Sequence, residues 1–164
     1  MCCFDHVVIC DTWKRGEGWT RKETLGGFPF TVGQSFELEF RAMEYLNIPM
    51  RYISNGIHIY VNKQPKLIVS FNRYDLSNIT QLEIKGAIEE IPSIINLVDQ
   101  GLGIGFTKYK FIVIHGTLVA PTRFDISLAE DGVPEETADI PFHFSADFTK
   151  NEVSENRLGV WQLF

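Results

Sequence analysis

His143, Ser145 and Asp147 stand two residues apart in the stretch Asp139-Ile-Pro-Phe-His-Phe-Ser-Ala-Asp-Phe148. On an extended strand, residues two apart share a face. An imidazole, a hydroxyl and a carboxylate therefore line up with Asp139 on one side. Ile140, Phe142, Phe144, Ala146 and Phe148 point the other way, into a core. The polar trio has the composition of a hydrolase relay. Side chains two apart on one strand, however, stand roughly 6.6 Å from each other by strand rise, beyond the reach of about 2.6–3.2 Å that proton transfer needs. Nor does the spacing of His143 and Asp147 match any metal-ligand pattern. What such a face can do is offer donors and acceptors to a polar ligand. More residues of the same kind lie at both ends of the chain: Trp19 with Lys22 and Thr24 near the start, and Asn156 and Trp161 near the finish.

The elements that must position these residues read as strands. Phe36, Leu38 and Phe40 alternate with Glu37 and Glu39, a half-buried pattern. Similar alternation runs through 57–61, 67–71, 81–86, 109–115 and 123–128. Turn signals separate them at Asn55-Gly56, at Asn62 to Pro65 and in the polar loop Glu130 to Thr137. Residues 41–48 read as either a helical turn or a ragged strand that Pro49 ends, and residues 89–108 as a connection. No segment keeps a helical period over about 11 residues. The 13 phenylalanines agree with strands. The class is all-β, an antiparallel β-sandwich.

Composition excludes several functions. A formal net charge of −6 with no block of like charges offers no nucleic-acid surface. No apolar run approaches the roughly 18 residues of a membrane span, and no basic-then-apolar leader opens the chain. Gly101-Leu-Gly-Ile-Gly105 lacks the Lys-Ser/Thr and the helix of a phosphate loop. Cys2, Cys3 and Cys10 are three in number and crowded at one end, which reads as free thiols in a reducing compartment.

The order of motifs resembles the galectin family. Its sugar signature reads His-x-Asn-x-Arg, Val-x-x-Asn and Trp-Gly-x-Glu-x-Arg, followed by Phe-Pro-Phe and an alternating strand. Here Phe28-Pro-Phe30 follows Trp19 by nine residues, as in the family, and Leu82-x-Ile84-x-Gly86-x-Ile88 matches its closing strand. The resemblance implies a concanavalin-like sandwich that binds β-galactosides on glycans or glycoproteins, with no catalysis, cofactor or metal. It also implies a cytoplasmic protein, exported if at all without a signal peptide. His143 matches the family histidine, Asn156 the second asparagine, and Trp19 and Trp161 the stacking tryptophan. Ser145 stands where the first asparagine belongs and Asp147 where the arginine belongs. In the N-terminal copy Cys10 falls at the second asparagine, with Lys22 and Thr24 in place of Glu and Arg. These departures imply weak or lost sugar binding, so the alternative is a galectin-fold protein serving as an interaction or structural domain. A hydrolase using the His143 strand is the remote alternative.

The halves come in reversed order. Residues 1–91 resemble the second half of a galectin domain and residues 92–164 the first half. Either the chain is one permuted sandwich with a duplicated edge, or it is a slice across two tandem domains. Complementary halves could also meet between chains, as a homodimer or a domain-swapped dimer. A single fold would put Phe36, Leu38, Phe40, Ile84, Phe111, Phe142 and Phe144 in one core, and would bring Asp147 and Lys22, whose charges are both reversed from the family's, to the same site.

Overall fold

The computed structural model describes residues 6–20, 22–25, 27–47, 52–70, 76–89, 94–102, 105–107 and 110–149. Its strands, in chain order, are β1 (Val7–Lys14), β2 (Gly18–Trp19), β3 (Glu23–Leu25), β4 (Ser35–Asn47), β5 (Tyr52–Val61), β6 (Gln64–Ser70), β7 (Gln81–Gly86), β8 (Ile94–Asn96), β9 (Phe111–Thr117), β10 (Arg123–Ala129) and β11 (Ile140–Asp147). They form two antiparallel sheets. One runs β2-β1-β11-β10-β7-β8, with β3 also paired to β1, and the other runs β6-β5-β4-β9. Each sheet takes strands from both sides of residue 91. β1 joins β11 from Val7↔Asp147 to Trp13↔Ile140, and β4 joins β9 from Ser35↔Thr117 to Arg41↔Phe111.

Period-2 alternation builds the core between the sheets. Phe36, Leu38 and Phe40 of β4 face Phe142 and Phe144 of β11, Phe124 and Ile126 of β10 and Ile84 of β7, all buried. Aromatic edges set much of the contact. Phe40 meets Phe142 at 5.1 Å between ring centroids, Phe30 meets both Phe36 and Phe124 at 5.1 Å, and Phe36 stacks on Phe124 at 5.6 Å. Each such ring buried is worth about 1.5–3 kcal/mol of transfer free energy. Gly86 ends β7 at φ 99°, where a Cβ would lie 2.2 Å from the Arg123 carbonyl oxygen. Only glycine lets β7 and β10 approach there.

Several expectations change. Phe111 is not in the core: it is 61% exposed, and its neighbours Ile112 and Ile114 face inward instead. The alternation of β9 was visible, but its phase was not. The uncertain stretch from Arg41 is no helix; β4 runs on through Asn47 and pairs with β5 as far as Asn47↔Tyr52. Asn55-Gly56 consequently lies inside β5, opposite Glu44 and Met43, and is not a turn. The turn is Asn62-Lys63, both at positive φ (50° and 64°), the conformation a two-residue hairpin requires. Asn62 is pinned by two bonds with Glu37: Asn62 N donates to Glu37 O at 2.8 Å, and Glu37 N donates to Asn62 Oδ1 at 2.9 Å. Within the 89–108 connection, β8 pairs with β7 and one helical turn covers Val98–Leu102.

Candidate carbohydrate-binding site

The outward face of the larger sheet is a lattice of polar rows fixed by register. β11 lies between β1 and β10, so one row reads Asp11, His143, Ser127, Glu83 and the next reads Ile9, Ser145, Asp125, Lys85. A third places Val7, Asp147 and Arg123 side by side. β3 adds Thr24 next to Ile9. The polar trio of β11 is therefore on one face, as its spacing requires, but it is not a solvated face: His143, Ser145 and Asp147 are 6%, 4% and 3% exposed.

His143 is held from three sides. Its Nδ1 shares a hydrogen bond of 3.0 Å with Ser127 Oγ. Its Nε2 lies 3.3 Å from Asp125 Oδ1. The Trp19 ring tilts over the imidazole at 4.7 Å and 55° while remaining 43% exposed. The β1–β2 hairpin places that indole: Gly16 and Gly18 take positive φ in the turn, Lys14 pairs with Glu17, and Thr20 N donates to Thr12 O at 2.8 Å.

Around this pair lies a depression of about 450 Å³ lined by Ile9, Asp11, Trp19, Lys22, Arg123, Glu135, His143 and Ser145. Asp125 of β10 sits beside two of its lining residues, Arg123 and His143. Burial pushes that carboxyl up, but contacts from His143, Arg123 and Ser145 outweigh burial and hold it below the ordinary value of 3.8. The strongest geometry is the bond Arg123 Nε donates to Asp125 Oδ1 at 2.7 Å. Two carboxylates, a guanidinium, an ammonium and an imidazole thus surround an aromatic platform. Hydroxyl-rich, neutral ligands suit such a surface, because each hydroxyl can donate to a carboxylate and accept from a cation.

Of the residues expected from sequence, Trp19, Lys22, His143 and Ser145 come together in this depression. Thr24 lies on the same sheet one strand outward, and exposed. Asp147 is one row further along, with Oδ1 accepting from Thr149 N at 2.8 Å and Oγ1 at 2.6 Å. Asn156 and Trp161 lie outside the described residues, as do Cys2 and Cys3.

Sequence comparison placed Cys10 at the asparagine position, and the structure corrects it. Cys10 points into the core, where burial pushes its thiol up, and Asp11 takes the place beside His143. The signal was available: Val8 and Cys10 share the apolar face, so Asp11 shares the other. Asp125, Ser127 and Arg123 were missed because only register brings β10 beside His143.

The family model of the galactoside-binding lectin matches this chain twice, over residues 1–94 and 100–162. The chain belongs to the galactoside-binding lectin family. No curated protein and no solved structure matches it significantly. Membership makes this a lectin-family domain and not an enzyme. The Ser127–His143–Asp125 contact accordingly reads as packing that orients the imidazole, since Ser127 is buried beside it and does not line the depression. Among the described residues of this galactoside-binding lectin domain, no group of three or more His, Cys, Asp or Glu is arranged to hold a metal, and no helix is long and apolar enough to cross a membrane.

Proposed function

We propose that the chain is a weak lectin for β-galactoside-class glycans, with one site shared between its two halves in a permuted sandwich. The observation that carries this reading is the Trp19 indole lying over His143 at the mouth of the polar depression. Trp19 comes from the N-terminal half and His143 from the C-terminal half, and both sheets draw strands from both sides of residue 91. Trp19 supplies the platform for the C–H face of the sugar, and the buried His143 imidazole backs the indole at 4.7 Å. Asp11, Lys22, Arg123 and Ser145 are the remaining contacts.

Weakness follows from the chemistry of the replacements. A planar amide or guanidinium offers paired donors in fixed geometry, and a short hydroxyl at Ser145 does not. Asp147 directs its carboxylate to Thr149. A site whose hydrogen bonds are fewer loses affinity and discriminates less between sugars.

Titration with lactose, followed by the chemical shifts of the Trp19 indole and His143, tests this. We expect saturable binding with Kd in the millimolar range, about −4 kcal/mol, abolished in Trp19→Ala. Micromolar binding would show that the replacements do not weaken the site. No saturable shift with lactose would favour the second reading, an interaction or structural domain, which the deep burial of Ser145 and Asp147 supports.

A further inference from the structure

We propose that Glu135 sets the charge preference of the sugar site, so that the depression favours galactosides in which a free amine replaces a ring hydroxyl. The inference rests on the lectin reading above and adds Glu135 to its contacts. Glu135 lines the same depression as Trp19, His143 and Ser145. It belongs to none of the motifs that resemble the family signature, and comes instead from the loop of residues 130–139 between β10 and β11.

That loop is braced along its length. The Val133 carbonyl accepts from Glu136 N, Thr137 N and Ala138 N at 3.1, 2.9 and 3.0 Å, and Val133 N donates to Thr137 Oγ1 at 2.8 Å. Gln81 of β7 anchors the near end, where its Nε2 donates to the carbonyls of Glu130 and Gly132 at 2.8 and 3.1 Å. Arg15 N anchors the far end by donating to Asp139 Oδ1 at 2.8 Å. Between these anchors Glu135 is held at φ 66°. A residue other than glycine keeps that left-handed conformation only where its surroundings impose it. The carboxylate therefore hangs from a backbone fixed relative to the sheet.

Register gives the depression two unlike ends. Arg123 lies in the row of Asp147, and its Nε donates to Asp125 at 2.7 Å, so its charge is compensated within the sheet. The loop leaves β10 at Ala129 and enters β11 at Ile140, the end where Trp13 pairs with both Ile140 and Trp19. Glu135 thus approaches from the side of the indole platform. In and beside the depression, the two cations Lys22 and Arg123 meet three carboxylates, Asp11, Asp125 and Glu135, in a chain of net charge −6. A carboxylate only accepts hydrogen bonds. A sugar hydroxyl satisfies it, but an ammonium at the same ring position keeps the donor and adds Coulomb attraction.

The test is a chemical-shift titration of the parent chain, Glu135→Gln and Glu136→Gln at about pH 7, where sugar amines are largely protonated and glutamate is ionised. Glu136 is exposed in the same loop but does not line the depression. The ligands are lactose and its two analogues that carry a free amine at C2 of one ring or the other. We expect the parent to bind one amine analogue about two- to fivefold more tightly than lactose at low salt, the range of an exposed charge pair. That preference should fall to parity in Glu135→Gln, persist in Glu136→Gln and shrink as salt screens it. Parity of all three ligands in the parent overturns the inference, and so does a preference that survives Glu135→Gln. In both cases saturable lactose binding leaves the lectin reading standing. No saturable binding of any of the three overturns that reading and the inference together.

Discussion

At the scale of single residues, the site depends on charges that are partly buried and mutually compensated. Asp125 illustrates the balance. Its folded-state pKa lies below 3.8, because contacts from His143, Arg123 and Ser145 outweigh the opposing effect of burial. A depressed carboxyl contributes stability that is fully present above the unfolded pKa and is lost as pH falls through the folded one. Glu130 runs the other way: burial and the neighbouring Asp139 raise its pKa, so acidification relieves rather than costs. Asp125→Asn should therefore flatten the parent's loss of stability below about pH 4 by up to one proton's worth of slope, leaving the Glu130 contribution in place. Urea unfolding of both proteins at a series of acid pH values measures this. Equal slopes would mean that Asp125 makes no net favourable contacts.

At the scale of elements, β9 and β11 show how one alternation gives opposite results. Both strands alternate apolar residues. In β11 the inward set is Ile140, Phe142, Phe144 and Ala146, and the outward set is also covered, so all eight residues are buried. In β9 only Ile112 and Ile114 are buried. Phe142→Ala should cost roughly 3–5 kcal/mol, the range for a large aromatic deleted from a packed core. Phe111→Ala should stay within about 0.5 kcal/mol, as for an exposed position. Guanidinium denaturation of the two variants side by side gives the comparison. Similar losses would mean that Phe111 is covered in solution, while a near-neutral Phe142→Ala would mean that β11 does not pack on β4.

At the scale of the whole molecule, the strands of the two halves interleave. Residues 1–91 contribute β1–β7 and the later residues contribute β8–β11, yet β11 lies between β1 and β10, and β9 closes the sheet begun by β4. Expressed alone, either half would leave an inner apolar sheet face open to water, far more than soluble monomers tolerate. Fragments 1–91 and 92–164 should each lack cooperative thermal unfolding, and an equimolar mixture refolded together should recover it along with near-ultraviolet aromatic dichroism. A first fragment that unfolds cooperatively alone would contradict this mutual dependence.

The sequence by itself determined the class, most strand positions, six of the seven core residues named from it and the family resemblance. All of these follow from local alternation and from short motifs such as Phe28-Pro-Phe30. Tertiary structure decided what alternation cannot encode. A period of two divides a strand into faces without saying which neighbour lies beside it or whether it sits at a sheet edge. Phe111 was therefore assigned to the wrong side, and Asn55-Gly56 was read as a turn although β4 runs alongside it. Asp11, Ser127 and Asp125 joined His143 only once β1 and β10 were in register with β11. Those contacts span more than a hundred residues in the case of Asp11, and pairing energies between strands so far apart in the chain are set by the packed fold, not by the local sequence.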